Sequence, residues 1–208
     1  MNSKRQVSIA WILSAFVVIL AIAVWLDAGN KLSNLTAYSV FPLLGLAAFS
    51  LIWVHYVMGA KRRYYKLPKS DFEQFLKATS IVVLVLILLH PGLLILQLWR
   101  SGFGLPPGSY LEHYVAPSAK WAVMLGSLSF VIFLLFELKG KFGDKTWWKW
   151  IDLAQVIALI AVFVHGLRLG GELNIDWYRT VWYFYGLSFI VAVSYTYLID
   201  LKILKEKT

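Results

Sequence analysis

Hydrophobic positions along the chain gather into six long runs separated by short polar stretches, over about residues 7–26, 38–60, 78–99, 121–138, 150–167 and 181–199. Each run falls within the roughly 17–25 residues that an α-helix needs to cross a hydrocarbon layer. The pattern therefore predicts an all-α integral membrane protein, a six-transmembrane-helix bundle forming a single domain over residues 1–208. Lys4 and Arg5 precede the first run, which is longer than a signal-peptide core, so it is expected to stay in place as an anchor.

Composition sharpens this picture. Of 208 residues 60% are hydrophobic and 15% charged, and the mean hydropathy is +0.68; soluble domains carry more charge than this. The connections are too short for a nucleotide or flavin domain, which takes on the order of 100 residues, and no Gly-rich phosphate loop occurs. Any soluble redox partner is therefore expected to be a separate chain. Cysteine is absent, which excludes disulfides, thiolate metal sites and iron–sulfur clusters and leaves the four histidines as the soft ligands.

The net charge of +9 does not point to nucleic acid, because the basic residues lie between the apolar runs and form no dense stripe. They report topology instead. Lys4, Arg5, Lys61, Arg62, Arg63, Lys66, Lys69, Lys77, Lys139, Lys141, Lys145, Lys149, Lys202, Lys205 and Lys207 fall on one side, and only Lys31, Arg100, Lys120, Arg168 and Arg179 on the other. By the positive-inside rule the richer side is cytoplasmic, and an even number of spans returns both termini to it. The expected location is the cell (inner, cytoplasmic) membrane, with lipids as the first partners. Trp147, Trp148 and Trp150 on the inner side and Trp177, Tyr178 and Trp182 on the outer are expected to anchor at headgroup depth. Pro106-Pro107-Gly108 marks an outer loop, and no internal repeat or low-complexity tract is present.

Two histidines lie inside spans. His90 sits in Leu88-Leu89-His90-Pro91-Gly92 of the third run, and His165 in Val162-Phe163-Val164-His165-Gly166 of the fifth. At 1.5 Å per residue His90 is roughly 14 Å below the outer boundary marked by Arg100. Both helices run outward, so both imidazoles are expected in the outer half of the bilayer, at similar depth on parallel helices. That arrangement suits a haem held edge-on: neutral imidazole is a good axial ligand, and the porphyrin rim packs among aliphatic side chains. Arg168, Arg100 and Lys120 are candidate partners for the propionates. Gly92 and Gly166 are candidates to let a flat ring approach the backbone. The competing reading is that each histidine only hydrogen-bonds a neighbouring helix, although ionisable groups within a membrane are costly and usually mark function. His55 is expected at the inner interface, close to Lys61-Arg62-Arg63, and His113 in a solvated outer loop, on opposite sides, so the two do not form a zinc site. Gln97 and Gln155 are polar neighbours placed to tune a potential.

The stretch Phe142-Gly143-Asp144-Lys145-Thr146-Trp147-Trp148-Lys149-Trp150-Ile151-Asp152, followed by an apolar run to His165, resembles the ferric reductase-like transmembrane domain superfamily. Within it the chain is most similar to the haem-binding membrane subunit of the periplasmic methionine sulfoxide reductase system. The resemblance covers about residues 40–200 loosely and 142–165 more closely. It implies two histidines thirteen residues apart in the fifth span, but the earlier position here is Asp152. Oxidases and eukaryotic ferric reductases add an earlier histidine in the third span, where this chain has Leu76-Lys77. The ligands of an inner haem are thus missing, and one haem b is expected, on His90 and His165.

The resemblance further implies an electron-transfer subunit of a ferric reductase-like oxidoreductase, fed by quinol or a separate flavin reductase and passing electrons to an extracytoplasmic protein or ferric species. Asp152 would then handle protons, or simply cap or face solvent in the basic inner loop. The alternative class is a haem-free membrane scaffold, assembly factor or transporter subunit, for which Pro91-Gly92 is the only interruption within a span centre. An enzyme acting on lipid lacks support, since no span carries paired carboxylates or an HExxH-type motif.

Overall fold

The computed structural model describes residues 2–205, so Lys207 of the basic C-terminal tail lies outside the described residues. In chain order the helices are α1 (Ser3–Asp27), α2 (Ala37–Tyr64), α3 (Glu73–Arg100), α4 (Gly108–His113), α5 (Lys120–Phe136), α6 (Lys139–Phe142), α7 (Trp148–Leu169) and α8 (Asp176–Lys205). Short 3₁₀ turns precede α3 (Ser70–Phe72), α5 (Pro117–Ala119) and α8 (Gly171–Asn174), and no strand occurs among the described residues. Six helices, α1, α2, α3, α5, α7 and α8, are long and apolar enough to cross a membrane. The protein is an all-α, six-helix, multi-pass membrane protein.

Helix ends follow local chemistry more than hydropathy. α2 starts in a capping box in which Thr36 and Ser39 satisfy each other's backbone N–H groups. α3 begins at Glu73, before its apolar run, because a polar first turn is satisfied by water at the interface. It ends where Gly102 takes φ +82° and Phe103 N–H reaches back 3.0 Å to the Leu98 carbonyl, the 6→1 bond of a glycine-terminated helix. α5 stops at Phe136, two residues short of the apolar run, and the chain turns directly into α6. α8 starts at Asp176, five residues ahead of its run, with that carboxylate in the first turn where the helix dipole favours it.

α2 is the central helix. It packs against α1, α3 and α8 and also touches α7, while α5 pairs closely with α7. Half of its apolar window is buried within the protein, whereas the other five spans bury 17–28% and turn the rest outward. Outward-facing side chains such as Ile12 at 68%, Leu187 at 66% and Ile19 at 60% exposure would be costly in water and are natural against lipid. Between α2 and α8 runs an aromatic seam, with Phe49 on Trp182 at 4.2 Å and Trp53 against Tyr185 at 4.5 Å. Trp53 Nε1 donates to Ser188 Oγ at 2.8 Å. The α5–α7 pair is tied by Ser129 Oγ donating to the Ala158 carbonyl at 3.1 Å and by Gln155 Nε2 donating to the Ile132 carbonyl. The protein thus consists of an α1–α2–α3–α8 body and an α5–α7 pair, and α3 and α7 carry the two intramembrane histidines.

Candidate functional site

α3 and α7 are staggered so that His90 and His165 meet at one level. Their ring centroids are 6.4 Å apart and their planes stand at 83°. Each ring is held from behind by a helix other than its own. His90 Nδ1 lies 2.6 Å from the Phe41 carbonyl oxygen on α2, and His165 Nδ1 lies 2.8 Å from the Ala122 carbonyl oxygen on α5. A carbonyl can only accept, so Nδ1 carries the proton in both rings and Nε2 keeps its lone pair. This is the backbone hydrogen bond that ordinarily fixes the tautomer of a metal-ligating histidine.

Two glycines make the seats. A Cβ at Gly45 would stand 2.8 Å from His90 Cε1, and one at Gly126 would stand 2.6 Å from His165 Cε1, closer than real contacts permit. The rings therefore lie flat against the α2 and α5 backbones. Sequence reading selected Gly92 and Gly166 instead. Gly166 belongs to the packing of α8, since a Cβ there would meet Trp182 at 2.8 Å, while nothing comes within 4 Å of one at Gly92. Gly45 and Gly126 carry no distinctive signal in sequence, because glycine is common in transmembrane helices and only the fold reveals which helix faces each histidine.

The basic candidates separate into two groups. Arg168 Nη2 donates to Ser118 Oγ at 3.3 Å, which brings it to the outer end of α5, where Lys120 begins the helix. Arg168 is three residues beyond His165, roughly 4.5 Å along the axis, whereas Arg100 is ten beyond His90, roughly 15 Å. Arg100 lines a groove between the ends of α2 and α3 with Thr36, Val40, Leu96 and Gln97. Arg168 and Lys120 are thus the cations nearer the imidazole pair. Neither glutamine faces the pair by hydrogen bonding: Gln155 is spent on the Ile132 carbonyl, and Gln97 Nε2 lies 3.5 Å from Ser101 Oγ.

The other candidates have their own partners. His55 is half-buried in the α2–α3 seam, with Nε2 2.6 Å from Thr79 Oγ1 and its ring edge-on to Phe75. His113 is exposed and stacks on Phe103 at 4.4 Å in the outer loop. Asp152 is a surface residue that pairs with Lys139 at 2.7 Å and accepts from Trp148 Nε1 at 3.1 Å.

Beyond the pair, towards the C-terminal ends of α3 and α7, lie residues that the sequence did not single out. Phe41 leans on the His90 ring at 5.5 Å, and Tyr114 packs edge-on against Phe41 at 5.8 Å and parallel to Tyr38 at 6.5 Å. Glu172, in the 3₁₀ turn after α7, is only 5% exposed and lies within electrostatic reach of Tyr114 and Tyr178. Burial pushes its carboxyl above the ordinary glutamate range. The Tyr114 phenol is pushed up to about 12, mainly by burial, with the Glu172 charge adding to the effect.

Among the described residues no three His, Asp or Glu side chains converge, so the pair offers two nitrogen donors and no more. A metal–imidazole bond is about 2 Å long, so two imidazoles meeting one ion from opposite sides have centroids roughly 6 Å apart. The observed separation of 6.4 Å matches. Two imidazole nitrogens with no further protein donor beside them suit a metal that a planar macrocycle supplies with its other ligands, and the residues present would fit a haem. No family model, curated protein or solved structure matches this chain.

Proposed function

We propose that the chain is a membrane b-type cytochrome that holds one haem between His90 and His165 in the outer half of the bilayer. In this reading it is the electron-transfer subunit of a ferric reductase-like oxidoreductase. The observation that carries the proposal is the opposition of two imidazoles, each with Nδ1 committed to a backbone carbonyl and Nε2 free. A haem bound there supplies a one-electron iron couple. His90 and His165 would hold it through their Nε2 atoms, and engagement of both imidazoles would favour electron transfer over oxygen binding. Arg168 and Lys120 would hold the propionates by charge-assisted hydrogen bonds.

The inner level offers no second pair, since Asp152 is engaged by Lys139 and Trp148, and His55 Nε2 by Thr79. One haem per chain follows. The distribution of lysines and arginines supports placement in the cytoplasmic membrane with both termini inside. Electrons would come from a membrane quinol or a separate reductase and leave to an extracytoplasmic acceptor. The transporter alternative loses its main feature, because α3 runs unbroken through Pro91 and Gly92.

The test is the absorption spectrum of the purified protein produced with ample haem. A low-spin bis-imidazole spectrum at one haem per chain is expected, absent from His90→Ala and from His165→Ala and retained in His113→Ala. A colourless, folded preparation would overturn the proposal in favour of a haem-free scaffold or assembly factor.

A further inference from the structure

Glu172 stands out as a buried carboxyl that no cation neutralises. It is 5% exposed, and no ion pair reaches it among the described residues. Its surroundings are contributed by four elements. The end of α4 supplies Tyr114, with Tyr38 of α2 stacked behind it. α8 supplies Tyr178. Arg179, also on α8, sits at the same 3₁₀ turn but is spent on that turn's own groups, donating to the Leu173 carbonyl at 2.7 Å and to Asn174 Oδ1 at 3.2 Å. Arg168, near the end of α7, is directed to Ser118 on the α5 side. The carboxyl is thus within electrostatic reach of two phenols, and the guanidinium groups of Arg168 and Arg179 are engaged elsewhere.

Its position connects it to both imidazoles. The turn that carries it packs back on α7, where the Leu173 side chain would lie 3.4 Å from a Cβ at Gly166, the residue after His165. On the other side, Tyr114 contacts Phe41, whose carbonyl oxygen holds His90 Nδ1 and whose ring leans on His90. Glu172 lies in the 3₁₀ turn just past the end of α7, whose last residue, Leu169, is four residues and roughly 6 Å beyond His165. It therefore stands between the paired imidazoles and the outer aqueous phase.

We propose that Glu172 is the redox-linked proton acceptor of this site: its carboxylate takes up one proton from the outer side when one electron enters between His90 and His165. The proposal rests on the haem reading above. The balance is one electron, from a membrane quinol or from a chemical reductant such as dithionite, converting ferric to ferrous iron, and one proton converting the carboxylate to the carboxylic acid. The region then gains no net charge. The physical reason is that charge added inside a low-dielectric bundle is poorly screened, so a nearby group that can neutralise it responds. For a separation on the order of 10 Å and an effective dielectric near 20, an added electron would strengthen proton binding at Glu172 roughly tenfold. Burial has already raised the proton affinity of the carboxyl above that of an ordinary glutamate, whereas the neighbouring Tyr114 phenol, pushed up to about 12, stays protonated throughout.

The experiment is a redox titration of the haem-loaded protein across a range of pH, for the wild type, Glu172→Gln and Glu172→Asp. The wild-type midpoint potential is expected to fall as pH rises, Glu172→Gln to flatten that slope, and Glu172→Asp to keep it. Equal slopes in wild type and Glu172→Gln, with the haem spectrum intact, would overturn this proposal and leave the haem reading standing. A protein that binds no haem would overturn both. A second measurement needs neither cofactor nor variant: infrared spectra of the haem-free wild type should contain a buried carboxylic acid band that titrates above the solvent-exposed carboxyls. Its absence would also overturn the assignment.

Discussion

The imidazoles of His90 and His165 face each other at 6.4 Å with their planes crossed at 83°, and the crossing angle is set by which neighbouring helix grips each ring. His90 is bound by α2 through the Phe41 carbonyl, and His165 by α5 through the Ala122 carbonyl. If this grip persists with haem in place, the two axial rings remain near-perpendicular. The expected electron paramagnetic resonance signal of the ferric protein is then the strongly anisotropic low-spin type given by crossed imidazoles. A rhombic signal of the parallel-ring type would show that the rings reorient.

The glycine seats give a second test. Alanine at Gly45 or Gly126 places a methyl group 2.8 Å from His90 or 2.6 Å from His165, so the ring must move off its carbonyl. Overpacking of this kind costs typically about 1–3 kcal/mol, and loss of the orienting hydrogen bond weakens metal binding by roughly 10–100-fold. Gly45→Ala and Gly126→Ala are expected to fold with a lowered thermal midpoint and to bind haem much more weakly, measured by haem titration of the haem-free protein. Undiminished affinity would remove the seats from the site.

The spans were legible in the sequence because lipid imposes a length and a composition that few other environments demand. His90 and His165 were legible too, as ionisable residues within apolar runs at comparable depth on helices of the same direction. What surrounds them was not. Phe41 and Ala122 act through backbone carbonyls, which no side-chain pattern reports. Gly45 and Gly126 depend on knowing that α2 lies behind α3 and that α5 lies behind α7. Gly166, adjacent to His165 in sequence, faces Trp182 instead, because neighbours on a helix point about 100° apart. Glu172 sits in a turn that reads as an ordinary polar connection, and only the fold buries it.

Gly166 separates packing from cofactor binding. Trp182 fills the notch at Gly166 and donates its Nε1–H to the Phe163 carbonyl at 3.2 Å, joining α8 to α7. Gly166→Ala should lower the thermal midpoint of the haem-free protein through a cost of about 1–3 kcal/mol, as large as that of Gly126→Ala, yet leave the haem spectrum of the folded fraction unchanged. A shifted spectrum in this variant would place Gly166 against the macrocycle.

Asp152 occupies the position at which the resemblance read from the sequence implies a histidine, and it joins Lys139 at 2.7 Å with both side chains more than 40% exposed. An ion pair this open contributes at most about 1 kcal/mol. Asp152→Asn should therefore change neither haem stoichiometry nor thermal stability by a measurable amount. A loss of haem on this change would reveal a role for the inner end of α7 that its contacts do not contain.

Glu172 ties stability to pH with a definite sign. Burial raises its folded-state proton affinity above that of the unfolded chain, so the folded state holds the proton over a pH range where the unfolded state has released it. Stability from this group is complete below the ordinary glutamate range, near 4.3, and is lost as pH rises from there through the raised folded value. Glutamine at this position keeps the shape and has no proton to release. Glu172→Gln should therefore gain on the wild type as pH rises, with the gap closing in acid, when the thermal midpoints of the two haem-free proteins are compared in detergent. All other carboxyls are common to both chains, so the difference isolates this one. A gap that does not move with pH would mean that the Glu172 carboxyl is as well solvated in the folded protein as in the unfolded chain.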